Sequence, residues 1–214
     1  MSLFLAPIHS WLFGKIKLLQ DLELSIVKSH IDKFGEEASN VQKEAQDIYG
    51  QYIDSRPLEE LIDTDNIHGW LQERIKEVES RSAYIITKYH DMYKEQSKEI
   101  TENEYEIQAK KCAANDENKT NTPENVYMSL NNYILSGMPC DRVNSITEKN
   151  EEVIVYHQTG CIHRANYEMG KANLDYMYHL KELWVKTFIE NLDVKYNYTI
   201  EKQGDTTINK IVKG

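Results

Sequence analysis

Between Glu151 and Lys213 the chain changes its hydrophobic period from strand to helix and back to strand, and this succession restricts the fold more than any other feature. Val153, Ile154, Val155 and Tyr156 form a short β-branched and aromatic run, the composition of a strand. It ends at His157-Gln158-Thr159-Gly160-Cys161-Ile162-His163, where chain direction and chemistry change together. From about Tyr167 to Leu192 one helical face carries Tyr176, Leu180, Leu183, Trp184, Thr187 and Phe188, and another carries His179, Glu182, Lys186 and Glu190. Val194, Tyr196, Tyr198 and Ile200 then alternate with Lys195, Asn197, Thr199 and Glu201. Gly204-Asp205 turns the chain, and Thr206 to Lys213 returns as the partner strand. Strand, helix and hairpin in this order are most simply satisfied by an antiparallel sheet with helices on one face.

Upstream, the period is helical. Ile8, Trp11, Leu12, Leu19, Leu22 and Ile26 recur at helical spacing, Pro7 suits a first turn, and Gly35 stops the run after Phe34. Residues 36–52 repeat the pattern through Ala38, Val41, Ala45 and Ile48, until Arg56-Pro57 breaks it. Leu58 to Ile62 is read as a single turn. Thr64 or Asp65 caps the longest helix, whose stripe runs through Ile67, Ile75, Val78, Ile85, Tyr89 and Met92. Arg74, Glu77 and Arg81 fall on the other side and read as a solvated, ion-paired face. A peripheral helix is expected around Glu102 to Ala114, followed by a mobile linker at 115–121. Thr122-Pro123-Glu124 is a helix start, with cap, proline and first-turn acid. The helix runs toward Gly137, and a polar loop then leads to Asn150. The expected architecture is α+β: a helix-rich part at 1–114, and at 122–214 an antiparallel sheet packed on long helices.

The chain has 214 residues, 40% of them hydrophobic and 28% charged, with a formal net charge of −10. That composition suits a globular protein, and it lacks the basic footprint that nucleic acid requires. Three cysteines, Cys112, Cys140 and Cys161, make no disulfide framework. No apolar run reaches the length of a membrane span, and the apolar stretch from Leu3 to Phe13 lacks the basic flank of a signal peptide. A cytoplasmic protein, with no nucleic-acid or membrane partner, is expected.

Three constellations carry candidate chemistry. Cys161 with His157 and His163 is the first. Cys161 and His163 are two residues apart and share a face in extended chain, and a histidine beside a thiol is the usual means of making it nucleophilic. A half-buried cysteine between surface histidines is the alternative. Adding Cys140 gives a second set, Cys140, His157, Cys161 and His163, of ligand types zinc accepts. Only one pair in it is tightly spaced, so neither metal nor cofactor is assigned. The third set is Asp175, Tyr176, Tyr178 and His179. Tyr176 and His179 face similar ways, and Asp175 stands four residues before His179, as an orienting carboxylate or a surface ion pair. Tyr156, Tyr176, His179 and Cys140 are the candidate ligand contacts. Phosphate-loop, dinucleotide and common hydrolase motifs are absent from the sequence.

The order of features resembles a known family. Phe34-Gly35-Glu36-Glu37 leads into a helix with Ala45, Tyr49 and Gly50. Much later come a strand ending in a cysteine, a helix, and a closing hairpin with a Gly204-Asp205 turn. In these parts the chain is similar to the L-2-amino-thiazoline-4-carboxylate hydrolase-like proteins. The resemblance implies an α+β hydrolase acting on a small cyclic amidine or thiazoline, with Cys161 as the matched cysteine. The sequence departs from the family pattern at Leu174-Asp175-Tyr176 and at Thr207-Ile208, where further cysteines are usual.

Three functions follow. The first is a small-ring hydrolase with Cys161 as nucleophile, His163 or His157 as base, and Asp175 or Tyr176 as an orienting or proton-handling group. The alternative is a non-enzymatic small-molecule-binding or sensory domain. In the third, the Leu3–Phe13 run and the Ile67–Met92 stripe pair two copies as a homodimer.

Overall fold

A computed structural model describes residues 5–118, 120–141, 143–204 and 206–214, with the Pro139 side chain left undescribed. The order is α1 (Pro7–Phe34), α2 (Glu36–Tyr49), α3 (Leu58–Leu61), α4 (Ile67–Tyr93), α5 (Glu95–Ala114), α6 (Pro123–Tyr133), a 3-10 turn (Pro139–Asp141), β1 (Asn144–Lys149), β2 (Val153–Thr159), α7 (Arg164–Met169), α8 (Leu174–Glu190), β3 (Tyr196–Gln203) and β4 (Thr206–Lys213). The fold is α+β, helix-rich with a C-terminal antiparallel sheet. Its contacts divide it into two units. One gathers the residues up to Glu104 with His163–Met177, and the other gathers Tyr105–Ile162 with Tyr178–Gly214.

The first unit is built around α4, against which α1, α2 and α7 pack. Asn66 caps α4 by accepting from the Gly69 amide at 3.1 Å, one residue beyond the expected caps. Every residue from Val78 to Ile86 is buried, so the middle of α4 is enclosed round its whole circumference. Arg81 therefore does not lie on a solvated face. It is 1% exposed, and its Nε donates to Glu23 of α1 at 2.7 Å. A second guanidinium nitrogen donates to the Gly50 carbonyl at 3.0 Å, and the Tyr52 ring lies 4.5 Å from the guanidinium carbon. Periodicity missed this because an arginine between two serines carries no apolar signal. The extended strap after α2 is also held from α1: the Gln20 side chain both donates to the Ile53 carbonyl at 2.9 Å and accepts from its amide at 2.8 Å. Gly35, with φ 72, and Lys94, with φ 52, end α1 and α4 in the left-handed region. The second break fixes the start of α5 at Glu95, earlier than the charged sequence there suggests.

Another buried polar side chain in this unit is His30, 0% exposed. Its Nδ1 lies 2.7 Å from the Ile26 carbonyl and its Nε2 2.9 Å from the Ser97 hydroxyl. A carbonyl only accepts, so Nδ1 carries the proton and Nε2 accepts from Ser97. The ring stacks on Tyr89 with centroids 4.0 Å apart. Burial holds the imidazole well below its ordinary range, at about 4.

The second unit holds the sheet, in the order β1-β2-β4-β3, antiparallel throughout. β1 occupies the stretch read as polar loop. As an edge strand exposed along almost its whole length, it shows no alternation to detect, and its register slips between Ile146 and Glu148. One sheet face is buried: Ile154 stands opposite Ile211, and Tyr156 opposite Asn209. α6 packs on β2 and β4, while Trp184 and Phe188 of α8 stack at 5.4 Å, with Tyr133 of α6 beside Phe188. Gly204, φ 60, leaves β3; its expected turn partner Asp205 lies outside the described residues, as do Leu3 and Phe4 of the apolar N-terminal run. In the 115–121 segment, Lys119 is likewise outside them, whereas Asp116 accepts from Ser129 and, at 3.2 Å, from Tyr133. Among the described residues no helix is long and apolar enough to cross a membrane.

Candidate functional site

The corner after β2 sends its titratable residues to different surroundings. His163 immediately precedes α7 and is 3% exposed. Its Nδ1–H donates to Glu79 at 2.7 Å, and Asn166 donates to the other Glu79 oxygen at 2.7 Å. Glu79, at 2% exposure, thus has both carboxylate oxygens engaged. Such a carboxylate fixes which imidazole nitrogen holds the proton and how the ring is turned. Tyr167, one helical turn on, stacks against the same ring with centroids 5.6 Å apart. Close approach of α7 to α4 makes this pairing feasible. A Cβ at Gly170 would stand 2.6 Å from both the Ala83 Cβ and the Ser80 carbonyl oxygen.

In the second unit Cys161 follows Gly160, whose φ of 73 turns the chain out of β2. The thiol is half-buried, and the Tyr178 hydroxyl of α8 donates to its sulfur. The Lys202 ammonium lies 5.3 Å from the Tyr178 ring centroid. Cys140, on the 3-10 turn, is exposed. That turn is closed by Asp141, which accepts from the Met138 amide at 2.8 Å. Gly137, with φ 71, leads into it, and a Cβ there would meet the Ile162 Cδ1 at 2.6 Å.

β2 separates its two candidates by the alternation of a strand. Tyr156 points to the buried face, with its ring 4.7 Å from Tyr127. His157 faces the other way, half-buried, opposite Ser145 of β1 and Ile208 of β4. Tyr156 donates to the Tyr198 hydroxyl, and Tyr198 donates to Asn209 at 2.7 Å. Burial is the largest cause holding both phenols above their ordinary range. The result is a one-way chain of donors across three strands, enclosed by α6.

The remaining candidates lie along α8. Asp175 and His179 are exposed. Tyr176 is half-buried, 6.0 Å from the His90 ring, with the Lys98 ammonium 5.9 Å from its own ring. Of the residues singled out by sequence, the structure thus brings Cys140 and Cys161 to neighbouring segments of one unit. Tyr156 and His157 go to opposite sheet faces, and His163 donates from Nδ1 to Glu79. Among the described residues no group of three or more His, Cys, Asp or Glu is arranged to hold a metal ion.

Glu79, Asn166, Tyr198 and Asn209 escaped the sequence reading. The one signal for Glu79 is its setting: Ser80, Ser82 and Ala83 follow it, and such small residues mark the close approach of another backbone. Nothing local marks Asn209, whose importance comes from standing opposite Tyr156.

No family model matches the chain, and no curated protein matches it. Among solved structures it is similar to the Fe(II) unliganded H-NOX protein from K. algicida, at 13% identity over 91% of this chain and 95% of that one, with a TM-score of 0.35. A mutant of the same protein matches at 12% identity over 94% and 96%, with a TM-score of 0.33. Likeness at this level assigns this chain neither a family nor a ligand.

Proposed function

We propose that this protein binds a small molecule without covalent turnover, as a ligand-binding or sensory domain, and that the ligand contacts the corner at Cys161. The group on the Cys161 sulfur carries this reading. It is the Tyr178 hydroxyl. As the donor in this contact, the phenol is not the group that would take the thiol proton. Nucleophilic catalysis needs a base at that place. Among the described contacts the thiol meets a phenol, with the Lys202 ammonium beside that ring. This set suits a small polar ligand bearing negative charge. Three free thiols suit a reducing compartment, which supports a cytoplasmic location as part of this reading.

Mass spectra of the purified full chain, recorded under native and then denaturing conditions, test the proposal. The expected result is an added mass that is present natively, lost on denaturation and reduced by Tyr178→Phe or Lys202→Ala. A mass that survives denaturation and maps to Cys161 overturns it in favour of cysteine chemistry on a ring substrate. A bare chain mass in both spectra also counts against it.

A further inference from the structure

The geometry points to Cys140 and Cys161 as a peroxide-responsive dithiol pair that closes to an intramolecular disulfide. Residues on both sides of each cysteine are already in contact. The Thr159 amide, two residues before Cys161, donates to the Val143 carbonyl, three residues after Cys140, at 3.2 Å. This bond extends the β1–β2 ladder, in which Asn144 stands opposite Gln158, toward the two thiols. From the other side Ile162, next to Cys161, reaches Gly137, three residues before Cys140. The two cysteines are thereby bracketed within one corner, on short segments that end a strand pair rather than on rigid helices.

Their surroundings also differ from those of the third cysteine. Cys140 is exposed and Cys161 half-buried, so peroxide reaches the pair. Cys112 is buried in α5, and burial pushes its thiol up to about 11, which leaves almost no thiolate to react. The chemistry divides accordingly. The Cys140 thiolate attacks hydrogen peroxide: an S–O bond forms, the O–O bond breaks, sulfur is oxidised to the sulfenic acid, and the departing hydroxide takes a proton to become water. The Cys161 thiolate then attacks the Cys140 sulfur. The S–S bond forms, the S–O bond breaks, and hydroxide again leaves as water, so two thiols and one peroxide give one disulfide and two waters. Closure fastens the 3-10 turn to the end of β2 and removes the thiol that receives the Tyr178 hydrogen bond.

The full chain is treated with stoichiometric hydrogen peroxide, its remaining thiols are blocked with iodoacetamide, and its peptides are mapped without reduction. One Cys140–Cys161 cross-linked peptide is expected, with Cys112 recovered alkylated and the cross-link removed by dithiothreitol. C140S and C161S each abolish it, and C112S leaves it in place. Recovery of Cys140 and Cys161 as separate alkylated or over-oxidised peptides overturns the proposal, as does a cross-link between two copies of the chain. The wild-type map alone decides between these outcomes, whatever the folding of the variants.

Discussion

Acid should weaken this protein through His30, and the size of the effect follows from its surroundings. In the folded chain the imidazole is fully buried, flat against Tyr89, and held at about 4 against an ordinary value of 6.5. Burial is the main cause. The Ile26 carbonyl works against it, and the charge of Lys33 adds to it. Between these two values the unfolded chain binds a proton that the folded one refuses, so stability rises with pH across the window. The contribution is complete above about 6.5 and is lost as pH falls toward about 4, and a difference of about 2.5 units amounts to about 3 kcal/mol. The perturbation is His30→Phe combined with Ser97→Ala, which retains a ring for Tyr89 to stack on and removes the hydroxyl that would otherwise lose its partner. Urea unfolding of both proteins, from about pH 7 to about pH 4, gives the two stability profiles. The variant's profile should be flatter by about 3 kcal/mol over the window. Equal acid losses in wild type and variant would refute the reasoning, because the buried neutral imidazole would then contribute nothing to the pH dependence.

Other outcomes follow from the same packing. Arg81→Met alone strands the Glu23 carboxylate in the helical core and should cost about 3–5 kcal/mol in chemical denaturation, whereas Glu23→Leu with Arg81→Met should recover most of the loss. Tyr198→Phe removes the donor to the buried Asn209 carbonyl and should cost about 1–3 kcal/mol by the same assay. Two glycine substitutions should move thermal stability in opposite directions. Gly170→Ala drives a methyl into Ser80 and Ala83 and costs about 1–3 kcal/mol. Gly14→Ala, in helix α1 with open space beside it, gains about 0.5–1 kcal/mol.

Sequence and structure agree where an element buries one regular face and part company elsewhere. Pro7 and Gly35 bound α1, Thr122 and Pro123 open α6, and the alternation from Tyr196 returns as β3, because each is a local signal. β1 was illegible, since an exposed edge strand satisfies its backbone through β2 and needs no apolar face. Between α7 and α8 the chain breaks at Gly170–Asn173, with Lys171 at φ 57, although the residues read as one continuous helix. The site was harder still. Local spacing pairs His163 with Cys161 along the chain, whereas the Glu79 that accepts from its Nδ1–H is 84 positions away. Such a pairing depends on tertiary packing, and spacing along one segment cannot express it.

The meeting of α7 with α4 also fixes what a relative of this protein would have to look like. Glu79, the small residues Ser80 and Ala83, His163, Asn166 and Gly170 depend on one another: remove the glycine and the helices separate, remove the glutamate and a buried imidazole and amide lose their acceptor. A distant homologue that keeps one of these residues is expected to keep its partners with it. They form a sparse signature by which kinship with this chain can be recognised after overall identity has faded.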